Sequence, residues 1–164
     1  MMAGASRMNF WWAMIFSAMV ALALMIVPLP QWLFFFWPDW IVLIVVYWAL
    51  YTPDRMGPLI GFIIGIFLEV LFVRQFGVES LGLATLALIV NNSNKQLFIL
   101  SIWQQTIVVG LFVALFKLIT GWLYGLVSDF TITLEYWYSI IGAMLVWPFM
   151  IILLNELRHK YRIQ

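Results

Sequence analysis

The chain has no cysteine, a single histidine and few charged side chains, 9% of its 164 residues. The absence of cysteine excludes disulfides, thiolate metal sites and cysteine nucleophiles. The single histidine, His159, lies in the charged C-terminal tail, which argues against a zinc site or a histidine-based catalytic triad. We therefore expect neither a metal nor a cofactor.

The scarcity of charge also bears on the class of protein. Soluble domains carry about 25% charged residues, whereas here 66% of the residues are hydrophobic. A soluble fold of this length could not bury so much apolar surface, so the composition predicts an all-α integral membrane protein. The formal net charge of +1 argues against a nucleic-acid partner, because nucleic-acid-binding domains carry a basic patch or stripe.

Long apolar runs separated by short polar or proline-containing segments predict six transmembrane helices in one polytopic domain, residues 1–164. The first run is longer than the apolar core of a signal peptide, about 7–15 residues, and is read as a retained span. Pro38 suits the first position of a helix and Asp39 its positive end, while Pro148 predicts a kink in the last helix. Two polar segments, 91–96 and 128–135, are expected to be loops. The predicted spans are 10–27, 38–51, 58–73, 78–90, 103–127 and 136–154, followed by a cytoplasmic tail at 155–164.

The distribution of lysine and arginine predicts the orientation of these spans. With both termini in the cytoplasm, the outer loops hold only Arg74, and Lys117 lies inside the fifth span. Cytoplasmic segments generally carry the excess of basic residues. The positions on the cytoplasmic side would be Arg7, Arg55, Lys95, Arg158, Lys160 and Arg162.

A carboxylate continues a glycine stripe in the third span. Gly57, Gly61, Gly65 and Glu69 follow one another at intervals of four, which places them on one helix face. Small residues at this spacing let helix backbones approach closely, so the stripe predicts a packing seam. A charged group facing lipid is costly, so Glu69 should face protein.

The fifth span carries a second small-residue face that includes a lysine. Lys117 lies among Gly110, Ala114, Gly121 and Gly125 at steps of three or four residues. We hypothesise that the third and fifth spans touch and that Lys117 pairs with Glu69, directly or through water, because intramembrane charges tend to pair or line cavities. Two alternatives stay open: the lysine could extend outward to the interface, or the carboxylate could carry a proton.

Several short motifs occur in an order that resembles the MreD family of bacterial rod shape-determining membrane proteins. The chain has PDWIVLIVVYW at 38–48, a PDR turn at 53–55, GFIIGIFLE at 61–69 and FGV at 76–78, then WQQ at 103–105 and WP at 147–148. The resemblance runs from about residue 10 to the tail. The acidic residue that closes the glycine span is usually aspartate in the family and is glutamate here. The positions that carry the resemblance are Pro38, Asp39, Trp48, Pro53, Arg55, Gly77, Trp103, Trp147 and Pro148.

This resemblance implies a multi-pass protein of the bacterial inner membrane that takes part in peptidoglycan synthesis during cell elongation. The partners it implies are MreC and, through the assembly, MreB, RodA and the transpeptidase partner of RodA, together with membrane lipid. The implied fold is similar to the six-helix substrate-binding component of energy-coupling-factor vitamin transporters. No catalytic residue is implied by the family.

Two functions from different classes follow. The first is a non-enzymatic scaffold or regulator, because acid–base catalysis needs several positioned titratable groups and few are available at depth. The alternative is a small-ligand or lipid-binding protein akin to a vitamin transporter subunit, with a cavity toward the outer leaflet lined by Glu69 and Lys117. A membrane enzyme is disfavoured, because Asp39, Asp129 and Glu135 are scattered over predicted loops and helix starts.

Overall fold

The computed structural model describes residues 2–28, 30, 36–97, 99–127 and 135–160, and the side-chain surroundings of 10–28, 30, 36–97, 99–127 and 136–158. All regular secondary structure in this part of the chain is helical. By length and composition, Ile102–Val127 and Tyr136–Arg158 are long and apolar enough to cross a membrane, and shorter apolar helices cover Phe10–Ile26, Trp40–Tyr51 and Pro58–Leu71. The helices are α1 (Met2–Ile26), α2 (Trp40–Tyr51), α3 (Pro58–Leu71), α4 (Val78–Leu97), α5 (Ile102–Val127) and α6 (Glu135–Lys160).

The six helices follow the predicted order, but one polar segment was predicted wrongly. The segment 91–96 is not a loop: it continues α4, and the Asn91 side chain donates a hydrogen bond to the Met56 carbonyl at 2.8 Å. Residues 155–160, predicted to belong to the cytoplasmic tail, are helical and continue α6. In both segments the helix extends past its apolar residues. The loop predicted at 128–135 lies outside the described residues except for its last residue, which begins α6.

α2 is the central helix of the bundle. Every residue from Ile41 to Leu50 is buried, and α2 packs against α1, α4, α5 and α6. A helix that is apolar on all sides is expected to be surrounded by other elements. α2 begins at Trp40 with Asp39 as its N-cap residue, so Pro38 precedes the helix instead of occupying its first position.

One end of the bundle, which we call the terminal end, gathers the start of α1, the α2–α3 turn and the end of α6. The Arg55 guanidinium lies 5.4 Å from the Phe10 ring centroid, and that of Arg158 lies 4.9 Å from the ring of Tyr51. Tyr47 of α2 donates a hydrogen bond to Asn155 of α6 at 2.9 Å. The first and last helices therefore have their outer ends on the same side of the molecule.

The opposite end, called here the cavity end, gathers the end of α1, the start of α2, the α3–α4 turn and the end of α5. The Trp37 indole donates a hydrogen bond to the Leu24 carbonyl at 3.1 Å, which joins the end of α1 to the start of α2. The charged residues described below lie at this end.

Candidate functional site

Glu69, on the last full turn of α3, caps the start of α4. Its side chain is 1% exposed. One carboxylate oxygen accepts the backbone N–H of Gly77 at 2.9 Å, and the other accepts the backbone N–H of Ser80 at 2.9 Å and its hydroxyl at 3.2 Å. The first N–H groups of a helix lack intrahelical partners and form its positive end. The carboxylate that interrupts the apolar run therefore serves as a capping group supplied by the preceding helix.

The glycines before Glu69 let α3 and α4 approach closely enough for this capping. A Cβ at Gly61 would lie 2.7 Å from the Leu83 carbonyl oxygen, and a Cβ at Gly65 would overlap the Ser80 Cα. At Gly57, in contrast, an added Cβ would have no neighbouring atom within 4 Å. The close-packed part of the predicted seam is therefore Gly61 and Gly65, and it faces α4.

The turn between α3 and α4 contains a strained backbone conformation at Val73. The Arg74 N–H donates to the Glu69 carbonyl at 2.9 Å, and Val73 between them has a φ of 51°. This is the left-handed C-terminal motif that usually uses glycine, and a β-branched residue there is unusual. Gly77, with a φ of 95°, completes the turn and begins α4.

The predicted pair of Glu69 with Lys117 is not formed. Lys117 of α5 instead pairs with Asp39 at the start of α2, with 2.9 Å between Nζ and Oδ2. The predicted packing of α3 on α5 is not a main contact of the bundle either, because α3 packs chiefly on α4, and α4 also contacts α5. Spacing along the sequence identified Glu69 and Lys117 as buried charges but not the helices that face them.

Lys117 is enclosed by α6 as well as by α2. Its ammonium lies 4.2 Å from the Tyr136 ring centroid, a cation–π distance. The Tyr136 hydroxyl donates to the Lys117 carbonyl at 3.2 Å and lies 3.0 Å from the Thr120 hydroxyl. The lysine is therefore retained inside the bundle and does not extend to its surface.

A second ion pair joins the α3–α4 turn to the first turn of α4. Arg74 Nη1 lies 2.6 Å from Glu79 Oε1, and the Tyr124 hydroxyl of α5 donates to the same oxygen at 3.1 Å. Burial alone would lower the pKa of Arg74, but the charge of Glu79 and its hydrogen bond raise that pKa above its ordinary value. The guanidinium is therefore firmly charged.

Both ion pairs line one partly open cavity of about 290 Å³ at the cavity end. It holds two acids and two bases, so its charges sum to zero. Glu69 is not part of the lining. The lining residues are Asp39, Arg74, Glu79, Phe116, Lys117, Thr120, Tyr124 and Tyr136.

Five polar residues of the cavity were not predicted as site residues: Arg74, Glu79, Thr120, Tyr124 and Tyr136. Glu79 sits in the first turn of α4, where an acidic residue is ordinary because of the helix dipole. In the sequence analysis, Arg74 was used only to predict orientation, as the one basic residue of the outer loops. A usable signal was the occurrence of an arginine and a glutamate on either side of Gly77 in an otherwise apolar chain.

The other predicted positions are spread over the bundle. Gly110 faces Met144 of α6, and Gly121 is buried in α5, whereas Gly125 is exposed. Trp48 is fully buried and donates to the Ser17 hydroxyl at 3.1 Å, while Trp103 is 77% exposed. Trp147 is fully buried and Pro148 lies inside α6. Pro53 lies in the α2–α3 turn.

Within the described residues, no three His, Cys, Asp or Glu side chains are grouped so that they could hold a metal ion. The buried charges are held in pairs or by backbone N–H groups. The part of the chain that the structure describes is thus all-helical, exposes many large apolar side chains and contains a charge-balanced polar cavity.

Comparison with known proteins identifies the family. The model of the family described as "MreD: rod shape-determining protein MreD" matches residues 6–157. The chain is also similar to the rod shape-determining protein MreD of Haemophilus influenzae, with 27% identity over 158 residues, 93% of this chain and 94% of that protein. No solved structure gives a significant match.

The chain belongs to the MreD family, and with it has a role in rod shape determination. The family is one of shape-determining proteins and is not known as a family of enzymes.

Proposed function

We propose that this protein is a non-enzymatic scaffold or regulator of the cell-elongation complex that makes peptidoglycan in the bacterial inner membrane. The family match over residues 6–157 is the observation that carries the proposal. The buried charges favour it too, because each is engaged in structure. Glu69 caps a helix, and Lys117 pairs with Asp39.

The proposed topology is a multi-pass protein with both termini in the cytoplasm. The terminal end carries Arg55 and Arg158 and gathers the outer ends of the first and last helices. That grouping fits the bias of lysine and arginine toward cytoplasmic segments. Under this proposal the cavity end faces the periplasm.

The proposed partner is MreC, and through it MreB, RodA and the transpeptidase partner of RodA. Support comes from the apolar outer faces of the helices, which offer surface for other membrane helices as well as for lipid. On α5, Ile107, Leu111 and Trp122 are 58%, 64% and 69% exposed. On α3, Ile63 and Phe67 are 57% and 56% exposed.

Photocrosslinking in intact cells tests the proposal. A photoreactive amino acid is placed in turn at exposed positions of α1, α3, α5 and α6, and adducts with MreC are sought. We expect adducts on one helix face, at positions that recur every three or four residues. Val45 of α2, which is fully buried, is the matched control and should give none. A complete scan without any MreC adduct, in cells that keep their rod shape, would contradict the proposed partner.

A further inference from the structure

The cavity end contains polar groups that neither capping nor ion pairing uses. Among the described residues, the bonds of Asp39 and Glu79 each use one carboxylate oxygen, Oδ2 and Oε1 respectively. Arg74 uses Nη1 on Glu79, which leaves most of its five N–H donors. Lys117 has three N–H donors, and one ion pair uses one of them. The remaining donors and acceptors belong to the residues that line the cavity.

Two of the four charged groups are directly accessible from outside the protein. The Arg74 side chain is 37% exposed and that of Asp39 is 30% exposed, whereas those of Glu79 and Lys117 are each 8% exposed and border the cavity. Among the described residues, no hydrogen bond reaches Asp39 Oδ1 or Glu79 Oε2. Both residues line the cavity.

The charge of the cavity selects the kind of ligand. A ligand with only negative charge would approach two cations but also two carboxylates, and a purely cationic ligand would meet the reverse difficulty. A molecule with both an anionic and a cationic group can satisfy both sets at once. Of the cationic groups, a primary ammonium offers N–H donors to the carboxylates of Asp39 and Glu79, whereas a quaternary ammonium offers none.

The position of the cavity points to the headgroup level of a bilayer. Trp and Tyr are enriched at membrane–water interfaces. Around this end lie Trp37, Trp40, Trp122, Tyr136 and Tyr138, with Trp122 69% exposed and Tyr138 39% exposed. Arg74 belongs to a turn beyond the end of α3, where a lipid phosphate would lie if the bundle spans the membrane.

We propose that this cavity binds a zwitterion made of a phosphate group and a primary ammonium, the chemistry of a phosphoethanolamine headgroup. The phosphate lies against Arg74 and Lys117, and the ammonium lies between Asp39 and Glu79. The same chemistry occurs on a membrane lipid and on a free small molecule. This binding is separate from the proposed role as a scaffold and does not depend on the identity of the protein partner.

Native mass spectrometry of the purified full-length protein tests the inference. The protein is incubated with phosphatidylethanolamine, phosphatidylcholine or phosphatidylglycerol of matched acyl chains, and the fraction that carries lipid is measured. We expect phosphatidylethanolamine to bind about tenfold more tightly than the other two, because each lacks one charge-assisted contact. Equal occupancy by the three lipids would mean nonspecific association and would overturn the proposal.

A matched pair of arginine substitutions locates the binding. Arg74→Gln removes the more exposed cation of the cavity. We expect this variant to bind phosphatidylethanolamine about tenfold more weakly. Arg55→Gln, at the terminal end, is the matched control and should bind as the unaltered protein does. If Arg74→Gln and Arg55→Gln bind equally well, the cavity is not the site.

Soluble phosphoethanolamine separates the two sources of the ligand, with the midpoint of thermal unfolding in detergent as the readout. A rise with the soluble compound equal to that with the lipid would assign the cavity to a free zwitterion. A rise with the lipid alone would assign it to a headgroup. No rise with either compound would overturn the inference, and none of these results bears on MreC crosslinking.

Discussion

At the scale of single residues, buried charge in this protein is stabilised in two different ways. Glu69 accepts backbone N–H groups at the start of α4, whereas Asp39 and Glu79 are each paired with a cation. Removing one member of a buried ion pair leaves an uncompensated charge, and removing a capping group leaves unpaired N–H donors. The two arrangements therefore respond differently to substitution.

Substituting Glu69 should destabilise the α3–α4 pair. Glu69→Ala leaves the N–H groups of Gly77 and Ser80 without their acceptor, so we expect a loss of about 1–3 kcal/mol in the free energy of unfolding. Glu69→Gln should lose less, because its amide oxygen can still accept one N–H. Thermal unfolding in detergent measures both. Glu156→Ala, on an exposed part of α6, is the control, and a Glu69→Ala protein as stable as this control would refute the capping role.

A double-mutant cycle separates the true partner of Lys117 from the predicted one. Lys117→Met and Asp39→Asn should each destabilise the protein, and the double variant should lose less than the sum, because neither member leaves the other unpaired. Lys117→Met combined with Glu69→Gln should be additive. The unfolding midpoints of the six proteins, including the unaltered one, give both couplings. Coupling to Glu69 with none to Asp39 would contradict the ion pair described here.

At the scale of helices, the sequence predicted which residues share a helix face better than it predicted which helix packs against that face. Steps of four residues placed Gly61, Gly65 and Glu69 on one side of α3, and the structure has all three directed at α4. Periodicity says which residues share a face, but it carries no information about which helix covers that face. The same limit explains Lys117, whose partner lies 78 positions earlier in the chain (117 − 39).

The helix boundaries depend on backbone conformation and tertiary contacts that the sequence pattern does not show. α3 ends at Leu71 because Val73 adopts the left-handed conformation. The sequence has no glycine at this position that would have predicted such a conformation. α4 continues through its polar segment, where Asn91 donates a hydrogen bond to Met56, a contact between positions 35 residues apart that local sequence does not reveal. Of the lining predicted for a cavity, Lys117 was correct and Glu69 was wrong. The rest of the lining could not be predicted for a similar reason, since the start of α2, the α3–α4 turn, α4, α5 and α6 each supply part of it.

The close contact of α3 and α4 should make Gly65 intolerant of a side chain. In Gly65→Ala the added methyl would overlap the Ser80 backbone, so the helices must separate and the Glu69 cap must lengthen. We expect a loss of about 1–3 kcal/mol, the usual cost of overpacking. Gly57→Ala, on the same helix face but with open space around it, should change stability little. Equal unfolding midpoints for the two variants would contradict the packing described for this seam.

At the scale of the whole molecule, the two ends differ in chemistry, and their placement across the membrane can be tested. The absence of cysteine provides a clean background for single introduced thiols. Asp54→Cys lies in the α2–α3 turn at the terminal end, and Phe76→Cys lies in the α3–α4 turn, where the native side chain is 76% exposed. Both native positions are exposed.

We expect a membrane-impermeant thiol reagent to label Phe76→Cys in intact spheroplasts and to label Asp54→Cys only after the membrane is opened. The reason is the proposed orientation, which places the basic terminal end in the cytoplasm. Gel shift of the labelled protein provides the measurement. Ile41→Cys, buried in α2, is the control and should react in neither condition. The reverse pattern at the two turns would invert the proposed orientation.

Because neighbouring helices cover α2, its length does not have to match the thickness of the bilayer. α2 has 12 residues, which is about 18 Å of helix and short of a hydrocarbon layer of about 30 Å. Since its neighbours cover it, its length need not match the lipid. A thinner or thicker membrane can tilt the outer helices. Such tilting would act on α2, and on the Asp39–Lys117 pair at its start, only indirectly, through shifts of the side chains packed against α2.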